Sequence, residues 1–416
     1  MRHCSAIFTF LLMIICSCEK LPERGTFEYP LLKYHGDAYI DIGKSITEVE
    51  NGYALCGRLT VITRGTASTG GVIIDSSNVN LGIIITDLSG DLKQRATSEL
   101  PGFDEGNSIC KLNDGSLVCT GEATVIDDNG SNREILVVKT SNTGNREWIR
   151  TYGGYGNQSG KEIIECNDSG YLIVGTTDTE NSAVGFGADN PTGKMNVYLL
   201  KLDSQGDSIW SRSYGFEGDD FGVKVRRDIG DNGYIILAMT DNSETGQAQN
   251  NILLFRINNV GNSTGAKSFG STGNDSPSDL LVMNDGYLIL GASGPDIDSN
   301  TEILILKLAT NIYSQPLFER RINPGNNVII NSICRHPDGF YIIGGGIVSA
   351  GTEDMLFYFI DENGMEAHAP HIPEGDGSQI ISDVIVDSEG SIVAIGTNDF
   401  ESSSLITFYK FKPPIF

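Results

Sequence analysis

Residues 285–291 run DGYLILG, a tight-turn dipeptide followed at once by an unbroken aliphatic stretch. Asp-Gly supplies the positive φ that a two-residue hairpin turn requires, and the apolar run suits a strand covered on both faces. The unit returns as NGYALCG at 51–57, DGSLVCTG at 114–121, SGYLIVG at 169–175, NGYIILA at 232–238, DGFYIIGG at 338–345 and EGSIVAIG at 389–396. Successive turn glycines stand 51 to 63 residues apart, the length of four strands with their loops.

Working outward from the turn, each unit divides into four strands. In the third copy KEIIECN precedes the turn, YLIVGTT follows it, NVYLLKLD comes next, and SIWSRSY ends the unit after a second turn at Ser204 to Asp207. The third strand recurs as LGIIITDL, EILVVKTS, NILLFRIN, EILILKLA, DMLFYFID and SLITFYKF. Helical periodicity is absent outside the first residues, so the expected fold is all-β, a seven-bladed β-propeller of four-stranded antiparallel blades. The last copy lacks a fourth strand, whereas PLLKYHG at 30–36 matches EWIRTYG at 147–153. The N-terminal strand is therefore expected to complete the C-terminal blade and close the ring, making residues 27–416 a single domain.

The start of the chain carries a different signal. An apolar run from Ala6 to Cys16 is too short to span a bilayer and reads as a secretory signal core. It ends in Ile15-Cys16-Ser17-Cys18, which resembles a bacterial lipobox. This resemblance implies a signal peptide at 1–17, lipid attachment at Cys18, and a short tether over 18–26. The expected address is the bacterial cell envelope, at the outer membrane or cell surface, with the membrane reached only through the N-terminal lipid.

The formal net charge of −25 repels nucleic acid, and no phosphate-binding loop occurs, so neither nucleic acid nor a nucleotide is an expected partner. Five cysteines lie in the repeat region, at 56, 110, 119, 166 and 334, with no CxxC pair. Cys110 and Cys119 flank a turn and are expected to face each other across a hairpin, which leaves open a disulfide or two buried thiols. His368 and His371, in AHAPHIP, are expected in an exposed proline-containing loop rather than as a metal pair. No G-x-S-x-G or H-E-x-x-H motif is present.

The repeats resemble those of bacterial cell-surface β-propeller lipoproteins, within the quinoprotein-like and WD40-like propeller class. The segment Asp203, Gly206 and Trp210 resembles the tryptophan-docking repeat of quinoprotein dehydrogenases and of the propeller lipoprotein of the outer-membrane assembly machinery. The motif is degenerate, for Trp appears only at 148 and 210, and both are expected to pack blade against blade. The quinoprotein pattern also lacks its adjacent-cysteine pair here.

Candidate binding residues come from a ring of Asp and Asn just before each first strand: Asp41, Asp104, Asn157, Asp219, Asp220, Asp275, Asn327 and Asp376. In a propeller these positions surround one channel mouth. The chain's insertions, at 59–79, 122–132 and 178–195, fall on the same face. Asp296-x-Asp298-x-Asn300-x-Glu302 places oxygen ligands on alternate residues but lacks the glycine and final glutamate of a calcium loop, so it reads as a solvated loop; separately, Ca²⁺ at the acidic mouth stays an open alternative to no cofactor. The expectation is a non-catalytic binding or scaffold module for an envelope protein or a carbohydrate, with no catalytic residue assigned. Two alternatives remain: a glycan-active hydrolase or lyase with carboxylates at the channel mouth, and an envelope assembly scaffold.

Overall fold

The computed structural model describes residues 28 to 413, apart from 37–39, 62, 67–71, 76–77, 128–129, 180–182, 186–194, 216–217, 232, 242–249, 271–272, 296–300, 350, 374 and 401–402. Cys18 and positions 296 to 300 thus lie outside the described residues. From β1 (Glu28–His35) the chain passes into blade 1, built from β2 (Ile42–Val49), β3 (Gly52–Thr60), β6 (Val79–Asp87) and β7 (Leu92–Thr97); a separate hairpin, β4 (Thr63–Thr66) and β5 (Val72–Asp75), interrupts it. Blade 2 comprises β8 (Asp104–Lys111), β9 (Leu117–Asp127), β10 (Gly130–Thr140) and β11 (Arg146–Tyr152). In blade 3, β12 (Gln158–Glu165), β13 (Tyr171–Thr177), β15 (Asn196–Leu202) and β16 (Ser208–Gly215) are joined by β14 (Ala183–Gly185), a parallel fifth strand on the outer edge.

Blade 4 contains β17 (Asp220–Arg227), β18 (Tyr234–Thr240), β19 (Asn251–Ile257) and β20 (Ser263–Phe269), and blade 5 contains β21 (Asn274–Met283), β22 (Gly286–Gly294), β23 (Glu302–Ala309) and β24 (Phe318–Ile322). Blade 6 is β25 (Asn327–Arg335), β26 (Tyr341–Ser349), β27 (Thr352–Ile360) and β28 (Glu366–His371). The last blade orders β29 (Ser378–Val386), β30 (Ile392–Phe400), β31 (Ser403–Lys412) and then β1. The first strands touch in sequence, β2 to β8, β12, β17, β21, β25 and β29, and β29 touches β2 again. That circuit is the closed ring the repeats predict.

Closure keeps register with the repeat. Leu31 lies opposite Lys410, just as Trp148 lies opposite Lys139 and Trp210 opposite Lys201. Lys33 then reaches Asp91 of the next blade at 2.9 Å, the counterpart of Arg150 with Asp207.

The apolar core divides into seven clusters, one in each joint between neighbouring blades. This explains the unbroken aliphatic runs. On β13, Tyr171 and Ile173 pack toward blade 2, while Leu172 and Val174 pack toward blade 4. Side chains alternate across a strand, and each face meets a different blade, so both sets must be apolar.

In two joints the tyrosine of the turn motif staples the blades together. Tyr53 donates to Asp387 Oδ2 of the preceding blade at 2.7 Å, and Lys410 reaches the same carboxylate at 3.0 Å. Tyr287 meets Asp228 of blade 4, beside an Arg256–Asp228 ion pair at 2.9 Å. On the outermost strands the W-x-R-x-Y pattern grips the following blade's second turn: Tyr152 donates to Gly206 O and Tyr214 to Gly261 O, each at 2.5 Å. Trp148 and Trp210 pack between blades, as expected.

Two expectations are corrected. Cys110 pairs in register with Val118, and Cys119 with Ile109, so the two cysteines are offset by one residue and belong to different joints. All five described cysteines are free thiols. His368 and His371 lie on β28 rather than in an exposed loop, because Pro370 is tolerated on an edge strand where its missing N–H is not needed. His368 stands edge-on to Phe340, with centroids 4.8 Å apart, and His371 stacks on Phe357 and meets Tyr409 Oη at 2.8 Å.

Candidate functional site

The rim of the ring is where the outermost strand of one blade crosses to the innermost strand of the next. Four of the eight candidate residues point inward there: Asp41, Asp104, Asp220 and Asp275 are all 0% exposed. Asp41 Oδ1 accepts the Thr60 N–H at 2.6 Å, Asp104 Oδ2 accepts from Ser98 Oγ at 2.7 Å, and Asp275 is paired with Arg321 at 3.4 Å. Burial pushes the Asp104 carboxyl up to about 6, against which the Ser98 hydroxyl works. Glycine at the end of the preceding strand makes the room, since a Cβ on Gly215 would stand 2.6 Å from Asp220 Oδ2.

The other four occupy outer positions. Asn157 and Asp376 are exposed, while Asp219 and Asn327 are half-buried. Asn157 and Asp219 cross-link blades: Asn157 Oδ1 accepts from Arg133 N at 3.0 Å, and Asp219 Oδ1 from Met195 N at 2.9 Å. The rim therefore combines an inner layer that braces the loops with an outer layer open to solvent. Among the described residues no group of three or more His, Cys, Asp or Glu side chains is arranged to hold a metal ion.

The insertions rise on this rim face. In blade 2, β9 and β10 continue past their neighbours as a hairpin, with Ile126 opposite Ser131 near its tip. Blade 1 adds the β4–β5 hairpin, whereas the described part of the blade 3 insertion folds back as β14 along the edge of β16. Tyr155, on the loop into blade 3, is 86% exposed, and Ile126 is 76% exposed. These are the two most exposed large apolar side chains among the described residues. Asn157 ties their supports together, bonding both to Arg133 in the hairpin and to Asp178 of blade 3 at 2.7 Å.

A second polar feature lies within the ring and escaped the sequence reading. Every innermost strand carries a register shift at the same level, followed in turn by Ser45, Ser108, Glu162, Lys224, Asp279, Ser332 and Asp383. A bulge leaves a backbone N–H without its ladder partner. In several joints the preceding blade supplies the acceptor: Glu162 takes the Val225 N–H at 2.7 Å, Asp279 that of Ile333 at 3.0 Å, and Asp383 that of Ile46 at 3.0 Å.

Lys224 interrupts the pattern, because an ammonium cannot accept a hydrogen bond. Asp279 Oδ1 instead accepts the Leu280 N–H of its own strand at 2.8 Å, and Arg226 bridges Glu162 at 2.5 Å and Asp279 at 3.0 Å. Burial opposes ionisation of Glu162, but Arg226 and Lys224 outweigh it and hold the carboxyl below its usual range. Burial leaves Asp383 above its usual range, with Lys224 offsetting only part of the effect. The signal was present in the sequence as one polar residue at a fixed place in each apolar first strand. Its meaning depends on the neighbouring blade.

No family model and no curated protein matches the chain. Solved structures do. The WD40 domain of Neurospora crassa Pan2 superposes with a TM-score of 0.51 at 10% identity, covering 92% of this chain and 90% of that one. Pyrococcus horikoshii acylaminoacyl peptidase gives 0.48 at 11% identity over 88% of this chain and 50% of that one, so the chain spans about half its length. A glucose dehydrogenase gives 0.42 at 11% identity over 91% and 98%. Identities this low show the fold alone. It is a seven-bladed β-propeller.

Proposed function

We propose that this propeller is a binding module that docks an envelope protein on its rim face over blades 2 and 3, with Tyr155 and Ile126 as apolar anchors. The exposure of these two side chains carries the reading. Large apolar groups held out on rigid supports and ringed by polar residues are the anatomy of a protein interface, where a few such anchors supply most of the affinity. Asn157, Asp178 and Arg133 supply the polar surround.

Two of the buried carboxylates that a glycan-active enzyme would recruit are otherwise engaged. Asp104 is bonded to Ser98, and Asp383 accepts from both Ser45 at 3.1 Å and Ile46. A lipid at Cys18 is part of the proposal. Because β1 enters its blade from the opposite face, where the hairpin turns lie, an anchor there would point the rim face away from the membrane.

The test is site-specific photo-crosslinking in cells, with a benzophenone side chain placed at 155 or, on the opposite face, at Met365. A discrete protein adduct from 155 and none from 365 is expected. Equal adducts at both places, or none at 155, would reject the rim face. Globomycin sensitivity that disappears in Cys18→Ala tests the anchor separately.

A further inference from the structure

Blade joints differ in how their outer wedge is filled. Trp148 and Trp210 fill it after blades 2 and 3, each opposite a lysine of the third strand. After blade 5 the equivalent residue, opposite Lys307, is Phe318. It takes the same seat against the next turn glycine, for a Cβ on Gly364 would stand 2.9 Å from its ring. A phenyl group is smaller than an indole. The preceding connection, from Ala309 to Phe318, is also longer than the Leu202-to-Ser208 turn of blade 3. Between blades 5 and 6 a cleft of about 640 Å³ remains open on the turn face.

Its apolar wall is formed by Leu281, Met283, Leu317 and Phe318. At the base Lys307 is spoken for, bonded to Asp285 at 2.7 Å. Two exposed charges of opposite sign remain at the cleft, Arg335 and Glu362, and neither forms an ion pair among the described residues. An apolar wall beside one available cation and one available anion matches a ligand that is apolar in the middle and charged oppositely at its two ends.

We propose that this cleft binds short apolar peptides of two or three residues with both termini free. The Arg335 guanidinium would take the α-carboxylate, for which its planar fork is suited, and Glu362 would take the α-ammonium. The apolar side chains would lie against Met283, Leu317 and Phe318. The volume falls within the ~300–1,000 Å³ of small-ligand sites, and a neutral zwitterion avoids repulsion from the acidic surface.

Calorimetry on the whole protein tests this with three probes: the dipeptide Leu-Phe, its N-acetyl form and its C-terminal amide. Leu-Phe should bind, and capping either end should weaken binding roughly tenfold. Arg335→Gln should abolish the preference for acid over amide, and Glu362→Gln the preference for free over acetylated amine. Phe318→Trp, which restores the wedge of blades 2 and 3, should abolish binding while leaving the urea midpoint unchanged or higher. The proposal is overturned if Leu-Phe fails to bind up to ~10 mM, if capped and free forms bind alike, or if folded Phe318→Trp binds as the wild type does.

Discussion

Trp148 lies across the α-carbon of Gly206, so close that a Cβ there would stand 3.0 Å from the indole. Trp210 and Gly261 repeat the relationship at 3.1 Å. Both glycines have positive φ, 82° and 78°, and each lies in the turn of the following blade. One small residue thus serves both the turn and the joint, and the Trp is a packing element between blades. Arg150 covers its outer face at 5.6 Å.

Gly206→Ala should therefore destabilise the protein by roughly 2–3 kcal/mol, combining the cost of an L-residue at positive φ with displacement of Trp148. Urea unfolding followed by tryptophan fluorescence measures it. A loss below about 0.5 kcal/mol would show that the turn and the indole adjust independently.

Arg226→Met should cost about 3 kcal/mol, because Glu162 and Asp279 would remain buried with Lys224 alone, at 3.4 and 3.9 Å, to offset two carboxylates. The triple variant Arg226→Met, Glu162→Gln, Asp279→Asn should recover most of that loss, since amide oxygens still accept the Val225 and Ile333 N–H groups. If the triple variant is no more stable than Arg226→Met, charge compensation is not what Arg226 contributes.

Asp104 has a folded-state pKa of about 6, above its unfolded value, so the folded protein binds the proton more tightly. Its contribution to stability accordingly falls as pH rises from about 4 to above 6. Asp104→Asn should stabilise the protein by about 2 kcal/mol at pH 8 and leave it nearly unchanged at pH 4. A stability difference that is constant between these pH values would contradict the displaced pKa.

His371 shows the opposite sign. Burial lowers its pKa to about 4, so the folded state resists a proton that the unfolded chain accepts near 6.5. The stability tied to the neutral ring is complete above pH 6.5 and is lost as pH falls toward 4. Ring-nitrogen NMR titration should give a midpoint near 4, and His371→Phe should flatten the acid limb of stability. A titration midpoint above 6 would place the ring in solvent.

Removing residues 31–36 should lower the melting temperature by several degrees or abolish cooperative unfolding, because β1 covers the edge of β31 and holds Asp91 of blade 1. An unchanged melting temperature would mean that the ring closes without it.

Much of the fold was legible because the repeat is dense in local information. The turn dipeptides and aliphatic runs marked the strands, and the match of PLLKYHG to EWIRTYG placed Leu31, Lys33 and His35 in the register later found. The polar residues were harder. Asp41 and Asn157 look alike in sequence, yet one is fully buried and bonded to Thr60 while the other is exposed. The residue type reports a turn, and its depth depends on a glycine five positions earlier and on the adjoining blade. The offset of Cys110 from Cys119, and the packing of His368 and His371 on an edge strand, likewise needed register and neighbours.

By itself the sequence determined blade number, strand order and the way the ring shuts, because periodic turns and self-similar strands are one-dimensional information. Only the tertiary structure decided which groups meet across joints. Tyr53 and Asp387 are 334 residues apart and share a 2.7 Å hydrogen bond, Arg226 bridges Glu162 and Asp279 from two other blades, and a cleft stays open beside Phe318 between blades 5 and 6. Each outcome depends on the distance between segments that are remote in the chain, and ring closure alone sets that distance.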